Sequence, residues 1–217
     1  MTSGQADFSS ARYWEQRYAS GGNSGAGSYG RLAAFKADFL NTFVALNKVT
    51  SVMELGCGDG NQLGLLKFPR YVGFDVSPTA VEQCRRLHGG LRNHKFLSPE
   101  DGKRLGRYDL TLSLDVIFHL VEDDVFVEYM TKLFRHSRKF VVIYSSNFDA
   151  PWPDKHVRHR KVSNWTEYAK LAEWRLICIA PNRFPYQSND VNNTSFCDFM
   201  IFAKSSESCH VSCATWA

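Results

Sequence analysis

Apolar positions along this chain change their period several times. Leu32, Phe35, Phe39, Phe43 and Leu46 recur at helical spacing, which predicts an amphipathic helix with these residues on one face. From residue 51 onward, short apolar runs take over, at 51–55, 71–74, 94–97, 109–114, 140–145, 175–180 and 196–202. Each has the length of a strand. Helical segments separate most of them, at 61–67, 78–88, 122–136 and 164–172. Ser77 is placed to cap the second of these, with Pro78 in the first turn, where a missing N–H costs nothing. In the 122–136 segment Val125, Tyr129, Met130 and Leu133 form the stripe expected to be buried. Near the start, Ser9 and Ser10 can cap a helix that runs through Ala19 and carries Tyr13, Trp14, Arg17 and Tyr18. "SGGNSGAGSYG", residues 20–30, is too rich in glycine for regular structure and is expected to be a mobile loop.

Alternating strands and helices argue for an α/β fold, with a parallel sheet covered on both faces. The last link breaks the alternation. Residues 181–195 contain two prolines and a cluster of asparagines and cannot form a crossover helix, so the strands they join must be antiparallel. The expected sheet has about seven strands, mostly parallel, with a final antiparallel hairpin. One domain is expected over 1–204, made of an N-terminal helical region (9–48) and a core (49–204). The tail 205–217 is expected to be loosely held.

Composition narrows this picture only modestly. The 217 residues are 44% hydrophobic and 22% charged, enough chain to bury a proper core. A net charge of +4 permits an anionic partner but falls short of a dedicated nucleic-acid binder. Residues 1–8 lack the basic start and apolar centre of a secretory signal. No apolar run approaches the roughly 20 residues that span a bilayer. The six cysteines form no C-x-x-C pair and are expected to be reduced thiols in a cytoplasmic setting. Sequons at Asn164, Asn192 and Asn193 would then go unused. "CHVSC" in the tail is an incomplete zinc set, and no metal is expected.

The candidate chemistry starts in "SVMELGCGDGNQL", residues 51–63. Gly56, Gly58 and Gly60 alternate, two residues behind the acid Glu54. A P-loop would need G-K-[ST] where this chain has Gly60, Asn61 and Gln62. A dinucleotide fingerprint would need G-x-x-G spacing after its second glycine, and here the spacing is one residue tighter. The E-x-G-x-G-x-G pattern resembles the first motif of class I S-adenosylmethionine-dependent methyltransferases. "YVGFDVSP" resembles that family's second motif, "YDLTLSLDVIFHLVEDD" its fourth-strand motif and "FVVIYSSN" its fifth strand. The resemblance covers about residues 10–204 and implies a Rossmann-like three-layer sandwich.

It also implies a set of site residues. Gly56, Cys57, Gly58 and Asn61 would bring backbone close to S-adenosylmethionine, and Glu54 would orient the loop and the ligand's amino group. Asp75, with Val76 beside it, would accept the ribose hydroxyls; alternatively Asp75 caps the following helix. Asp101, or Glu100 beside it, would accept from the adenine amine, or the two form a solvated turn. Leu114 and Asp115 would face the methionine end, although Asp115 also suits a turn cap. Tyr13, Trp14, Arg17 and Tyr29 would form a lid, unless the aromatics only dock the first helix. Asp115, His119 and His156, with His159 also considered, are the candidate proton acceptors, and packing is the alternative for each histidine. "KHVRHRK", residues 155–161, is either a contact for an anionic acceptor or a solvated run.

The expected reaction moves a methyl group to an O, N or S nucleophile of a small-molecule acceptor. RNA or protein methylation and a non-catalytic S-adenosylmethionine-binding module are the alternatives. Specific DNA is excluded as a partner: the D/N-P-P-Y signature is absent, "SLDV" standing in its place, and no target-recognition domain is visible. A membrane partner is not expected, and the oligomeric state is left open.

Overall fold

The computed structural model describes residues 8–101 and 105–210. Helix α1 (Ser10–Ala19) and helix α2 (Gly30–Leu46) precede strand β1 (Val52–Leu55). Then follow β2 (Tyr71–Phe74), α3 (Pro78–His88), β3 (His94–Leu97), β4 (Tyr108–Leu114), α4 (Asp123–Arg135) and β5 (Ser137–Ser145). The chain closes with the single turn α5 (Trp165–Tyr168), β6 (Trp174–Ala180) and β7 (Asp198–Lys204).

The seven strands form one sheet in the order β3-β2-β1-β4-β5-β7-β6. β1, β2, β3, β4 and β5 pair in parallel, and β7 runs antiparallel to both β5 and β6. The α/β architecture, Rossmann-like with a closing antiparallel hairpin, is therefore the one expected. Side chains of successive strand residues point to opposite faces, so each strand feeds two cores. Val52, Leu112, Val142 and Ile201 pack with Phe35, Phe39 and Phe43 of α2 and Val81 of α3. Met53, Val141, Ile143 and Met200 pack with Met130 and Leu133 of α4 and Trp165 of α5. Three layers result.

Local signals placed the caps. Ser77 Oγ accepts the Ala80 N–H with Pro78 in the first turn, and Ser9 caps α1 by accepting from Arg12. Other expectations need correction. The 61–67 helix shrinks to a 3-10 turn at Gln62–Leu65, entered from left-handed Gly60 and containing Gly64. The 164–172 helix is one turn, stopped as Lys170 turns left-handed. Leu46, at the end of α2, and Val125, in the first turn of α4, are exposed rather than buried. Residues 20–30 are not a free loop: they hold a 3-10 turn at Ala26–Ser28 and are bonded to the core. Cys178 is disulfide-bonded, against the expectation of a fully reduced set, whereas Cys57, Cys84 and Cys197 are free.

In the tail, the Ser205 N–H donates to the Glu173 carbonyl (2.8 Å) and the His210 N–H to Asn47 (2.9 Å). The rest of the tail, 211–217 with Cys213, lies outside the described residues, as does most of the N-terminal stretch read for a signal. Among the described residues, no helix is long and apolar enough to cross a membrane.

Candidate functional site

β1 lies between β2 and β4, so the chain leaves it in one direction for β2 and β3 and returns on its other side for β4 and β5. Such a reversal opens a crevice at the carboxyl ends of the strands. A cleft of about 310 Å³ occupies this place.

Its floor is the loop after β1. Gly56, Gly58 and Gly60 all have positive φ, at 80°, 56° and 81°, a conformation open to residues without a Cβ. Space imposes the same choice. A Cβ on Gly56 would lie 2.4 Å from Val116 Cγ2, and one on Gly58 2.3 Å from Ser24 Oγ. The alternating glycines thus let other loops of this chain approach as closely as any ligand would.

Three carboxylates surround the floor. Asp75, at the tip of β2, is 6% exposed; its Oδ2 accepts the Gly58 N–H and its Oδ1 the Ser77 N–H, both at 2.9 Å. Burial raises its pKa to about 6, with those two N–H donors pulling the other way. Glu54, inside β1, accepts from the Tyr71 hydroxyl at 2.5 Å. Burial pushes it to about 7, opposed by that hydroxyl and by the charge of Lys36. Asp115 follows β4 in a left-handed conformation (φ 58°) and donates its N–H to the Tyr144 carbonyl at 2.9 Å. Its carboxylate is paired with Lys36 Nζ, whose side chain on α2 is fully buried.

Histidine and aromatic side chains form one wall. His119 Nδ1 lies 3.0 Å from the His156 carbonyl. A carbonyl only accepts, so Nδ1 carries the proton and Nε2 is left as an acceptor. Burial lowers the His119 pKa to about 4, against the opposing pull of that carbonyl, and the ring is neutral at pH 7. Trp14 meets it edge-on at 4.8 Å, His156 stacks on it at 5.5 Å, and Tyr13 stacks on His156 at 4.8 Å.

The N-terminal segment straps the cleft. Ser10 donates its N–H to Glu122 (2.8 Å), and its hydroxyl sits between that carboxylate (2.5 Å) and the His119 carbonyl (2.7 Å). On the other side, Glu15 accepts from the Ser77 (2.5 Å) and Thr79 (2.6 Å) hydroxyls at the start of α3. Asp59 accepts from the Ser24 N–H and the Tyr29 hydroxyl, both at 2.8 Å.

Of the residues singled out from sequence, Trp14, Glu54, Gly56, Cys57, Gly58, Asp75, Val76, Leu114, Asp115 and His119 line the cleft together. The others sit behind or beside it. Arg17 donates to the Asn23 carbonyl (2.7 Å), and Asn61 donates to the Ser28 carbonyl (2.6 Å). Tyr29 and Asn61 border a neighbouring hollow instead. Asp101 is paired with Arg85 (2.8 Å) and accepts the Ser98 N–H (2.7 Å). His159 is buried on Ser146 (2.9 Å). The basic run is largely spent on structure: Arg158 and Arg160 bind Asp123 and the carbonyls of Leu120 and Val121.

Sequence reading missed Lys36, Ser24 and Gln62, and placed Tyr129 only in the buried stripe of α4. Tyr129 bridges the Leu55 carbonyl (2.7 Å) and Ser113 Oγ (2.8 Å) under the floor. Lys36 carried a legible signal, a charge at a helical position surrounded by apolar ones. Ser24 carried none. Among the described residues, no group of three or more His, Cys, Asp and Glu is arranged to hold a metal ion.

Comparison with known proteins agrees with this geometry. No curated protein sequence matches the chain. In fold it is similar to the N-methyltransferase NodS of Bradyrhizobium japonicum WM9 in complex with S-adenosyl-L-homocysteine (12% identity, TM-score 0.63, covering 91% of this chain and 99% of that one). It is similar also to magnesium protoporphyrin IX methyltransferase of Synechocystis PCC 6803 with bound S-adenosylmethionine (14%, 0.62, 93% and 100%). The methyltransferase domain of bacterial CtHen1 shares 22% identity at TM-score 0.56, over 79% of this chain and all of that one. At such identities the likeness is one of fold. A family model described as "Methyltransferase domain" matches residues 29–190. With that match over most of its length, this chain belongs to the class I S-adenosylmethionine-dependent methyltransferase family.

Proposed function

We propose that the protein transfers the methyl group of S-adenosylmethionine to an O, N or S nucleophile of a small-molecule acceptor. The observation that carries this reading is the pairing of a left-handed glycine loop with two buried carboxylates, Glu54 and Asp75, on one enclosed cleft.

The residues fit the cofactor. Each Asp75 oxygen accepts one backbone N–H and retains a lone pair for a ribose hydroxyl. Glu54, when ionised, suits the ligand's ammonium group. Gly56, Cys57 and Gly58 present backbone at close range, with Val76 and Leu114 as apolar walls. Asp115 faces the methionine end, and Trp14 offers an aromatic face to a cation, worth about 0.5–2 kcal/mol. When bound, the cofactor supplies an already activated methyl, so the chain's main task is alignment.

His119 is the proton acceptor in this scheme: neutral, with Nε2 available and its tautomer held by the His156 carbonyl. Tyr13, Arg17 and Tyr29 belong to the strap that excludes water, and Asn61 ties the glycine loop to it through the Ser28 carbonyl. Asp101 steadies the turn after β3 through Arg85. A small acceptor suits an enclosed cleft, and the commitment of Arg158 and Arg160 to Asp123 leaves little of the basic run for an RNA backbone.

Calorimetric titration with S-adenosylmethionine and with NAD tests the cofactor. Heat with the first and none with the second is expected; the reverse would overturn the assignment. A labelled-methyl screen over metabolite, RNA and peptide pools then tests the acceptor class, and label appearing in RNA or peptide alone would refute the small-molecule reading.

A further inference from the structure

Lys36 takes no part in the scheme above, yet it is a fully buried charge. Its side chain is 0% exposed, its ammonium pairs with Asp115 Oδ2, and the Tyr144 ring lies 5.3 Å away. It comes from the middle of α2, with Phe35 and Phe39 beside it in the core. Gly27 closes the pair from above: a Cβ there would lie 2.6 Å from Asp115 Oδ2. The charge of Lys36 also reaches Glu54. An unpaired lysine in such a place would be costly, and a merely structural pair is often replaceable by apolar side chains without loss.

We infer that Lys36 is a positioning and specificity residue that offsets the negative field of Asp115 at the methionine end of the cleft, so that the site does not hold a sulfonium cation too tightly relative to the neutral thioether left after transfer. This rests on the proposed S-adenosylmethionine reading. The physical reason is charge bookkeeping. As the acceptor's lone pair forms its bond to the methyl carbon, the C–S electron pair returns to sulfur and the positive charge there disappears. An uncompensated carboxylate at that point stabilises the starting state more than the transition state, which slows transfer. A balanced pair keeps Asp115 oriented, through its Tyr144 carbonyl bond and its left-handed backbone, without that penalty.

The inference predicts opposite effects from the two halves of the pair. A unit charge within about 10 Å, at an effective dielectric near 20, corresponds to roughly a tenfold change in a cation's affinity. Dissociation constants for S-adenosylmethionine and S-adenosylhomocysteine are measured by calorimetry at pH 8 on the full chain. Lys36→Met should raise the preference for the cationic ligand over the neutral one by about tenfold. Asp115→Asn should lower that preference by a similar factor, and the double variant should return it to near the wild-type ratio. A purely structural role would weaken both ligands together, and that result, or an unchanged ratio in both single variants, overturns the inference. Should Lys36→Met fail to fold, Asp115→Asn set against the double variant reads the same charge from the other side. Wild-type protein that binds neither ligand overturns the S-adenosylmethionine reading itself, whereas binding with invariant ratios overturns only the role of Lys36.

Discussion

Acidification should weaken S-adenosylmethionine binding within a defined window. Burial places Glu54 at about 7 and Asp75 at about 6, so both carboxyls take up protons in the free protein as pH falls below neutrality. Under the proposed roles, the ligand's ammonium needs Glu54 ionised and its binding lowers that pKa further, while ribose hydroxyls donate best to an ionised Asp75. Binding therefore releases protons, and affinity rises with pH up to the free-state values. Going from pH 7.5 to 6 protonates most of Glu54 and about half of Asp75, which gives a loss of roughly fifteen-fold if both must be ionised. By about pH 7.7 roughly half of the ligand's own amine has lost its charge, so the window closes there. The assay is calorimetry at several pH values in two buffers of different ionisation enthalpy, which counts protons directly. Release of close to one proton near pH 6.5, largely abolished in Glu54→Gln, is expected. Flat affinity across this range, or proton uptake on binding, would refute the roles given to both carboxylates.

The same shifts make a stability statement of opposite sign. A carboxyl whose folded pKa lies above its unfolded value contributes stability that is fully present below the unfolded value and lost as pH rises through the folded one. Ligand-free protein should therefore lose several degrees of Tm on Glu54's account between about pH 5 and 7.5, and Glu54→Gln should flatten that slope in a thermal melt series. Asp75→Ala should weaken cofactor binding at least about tenfold while the circular dichroism spectrum stays native; unchanged affinity would contradict the ribose role. Ser10→Ala removes the hydroxyl held between Glu122 and the His119 carbonyl, so it should speed cofactor release several-fold in a stopped-flow displacement experiment, with an unaltered off-rate showing that the strap does not govern release.

Much of this architecture is legible in the sequence, but unevenly. Strand positions followed from apolar run length, and the closing hairpin from two prolines where a crossover helix would have to be. Ser77 and Pro78 announced the start of α3. The same reasoning overreached at 61–67 and 164–172: extended backbone at Leu66 ends the first after a single 3-10 turn, and left-handed Lys170 ends the second. Val125 kept the period of its helix and still faces outward, because it sits in the first turn at the cleft mouth.

Within the site the division is sharper. The glycine loop, Glu54 and Asp75 were visible from sequence because each requirement is local: a positive φ needs a residue without a Cβ, and an acid at a strand tip is placed by its own strand. Lys36 meeting Asp115 across 79 residues, Ser10 meeting Glu122 across 112, and Ser24 settling on Gly58 were not. Those contacts depend on which strand neighbours which and on how far two helices reach over the sheet, and neither is encoded within a turn or a strand's length of chain. Spacing along the sequence therefore determined the cradle, whereas only the packed sheet decided which charges are neutralised inside it and which side chains close over it.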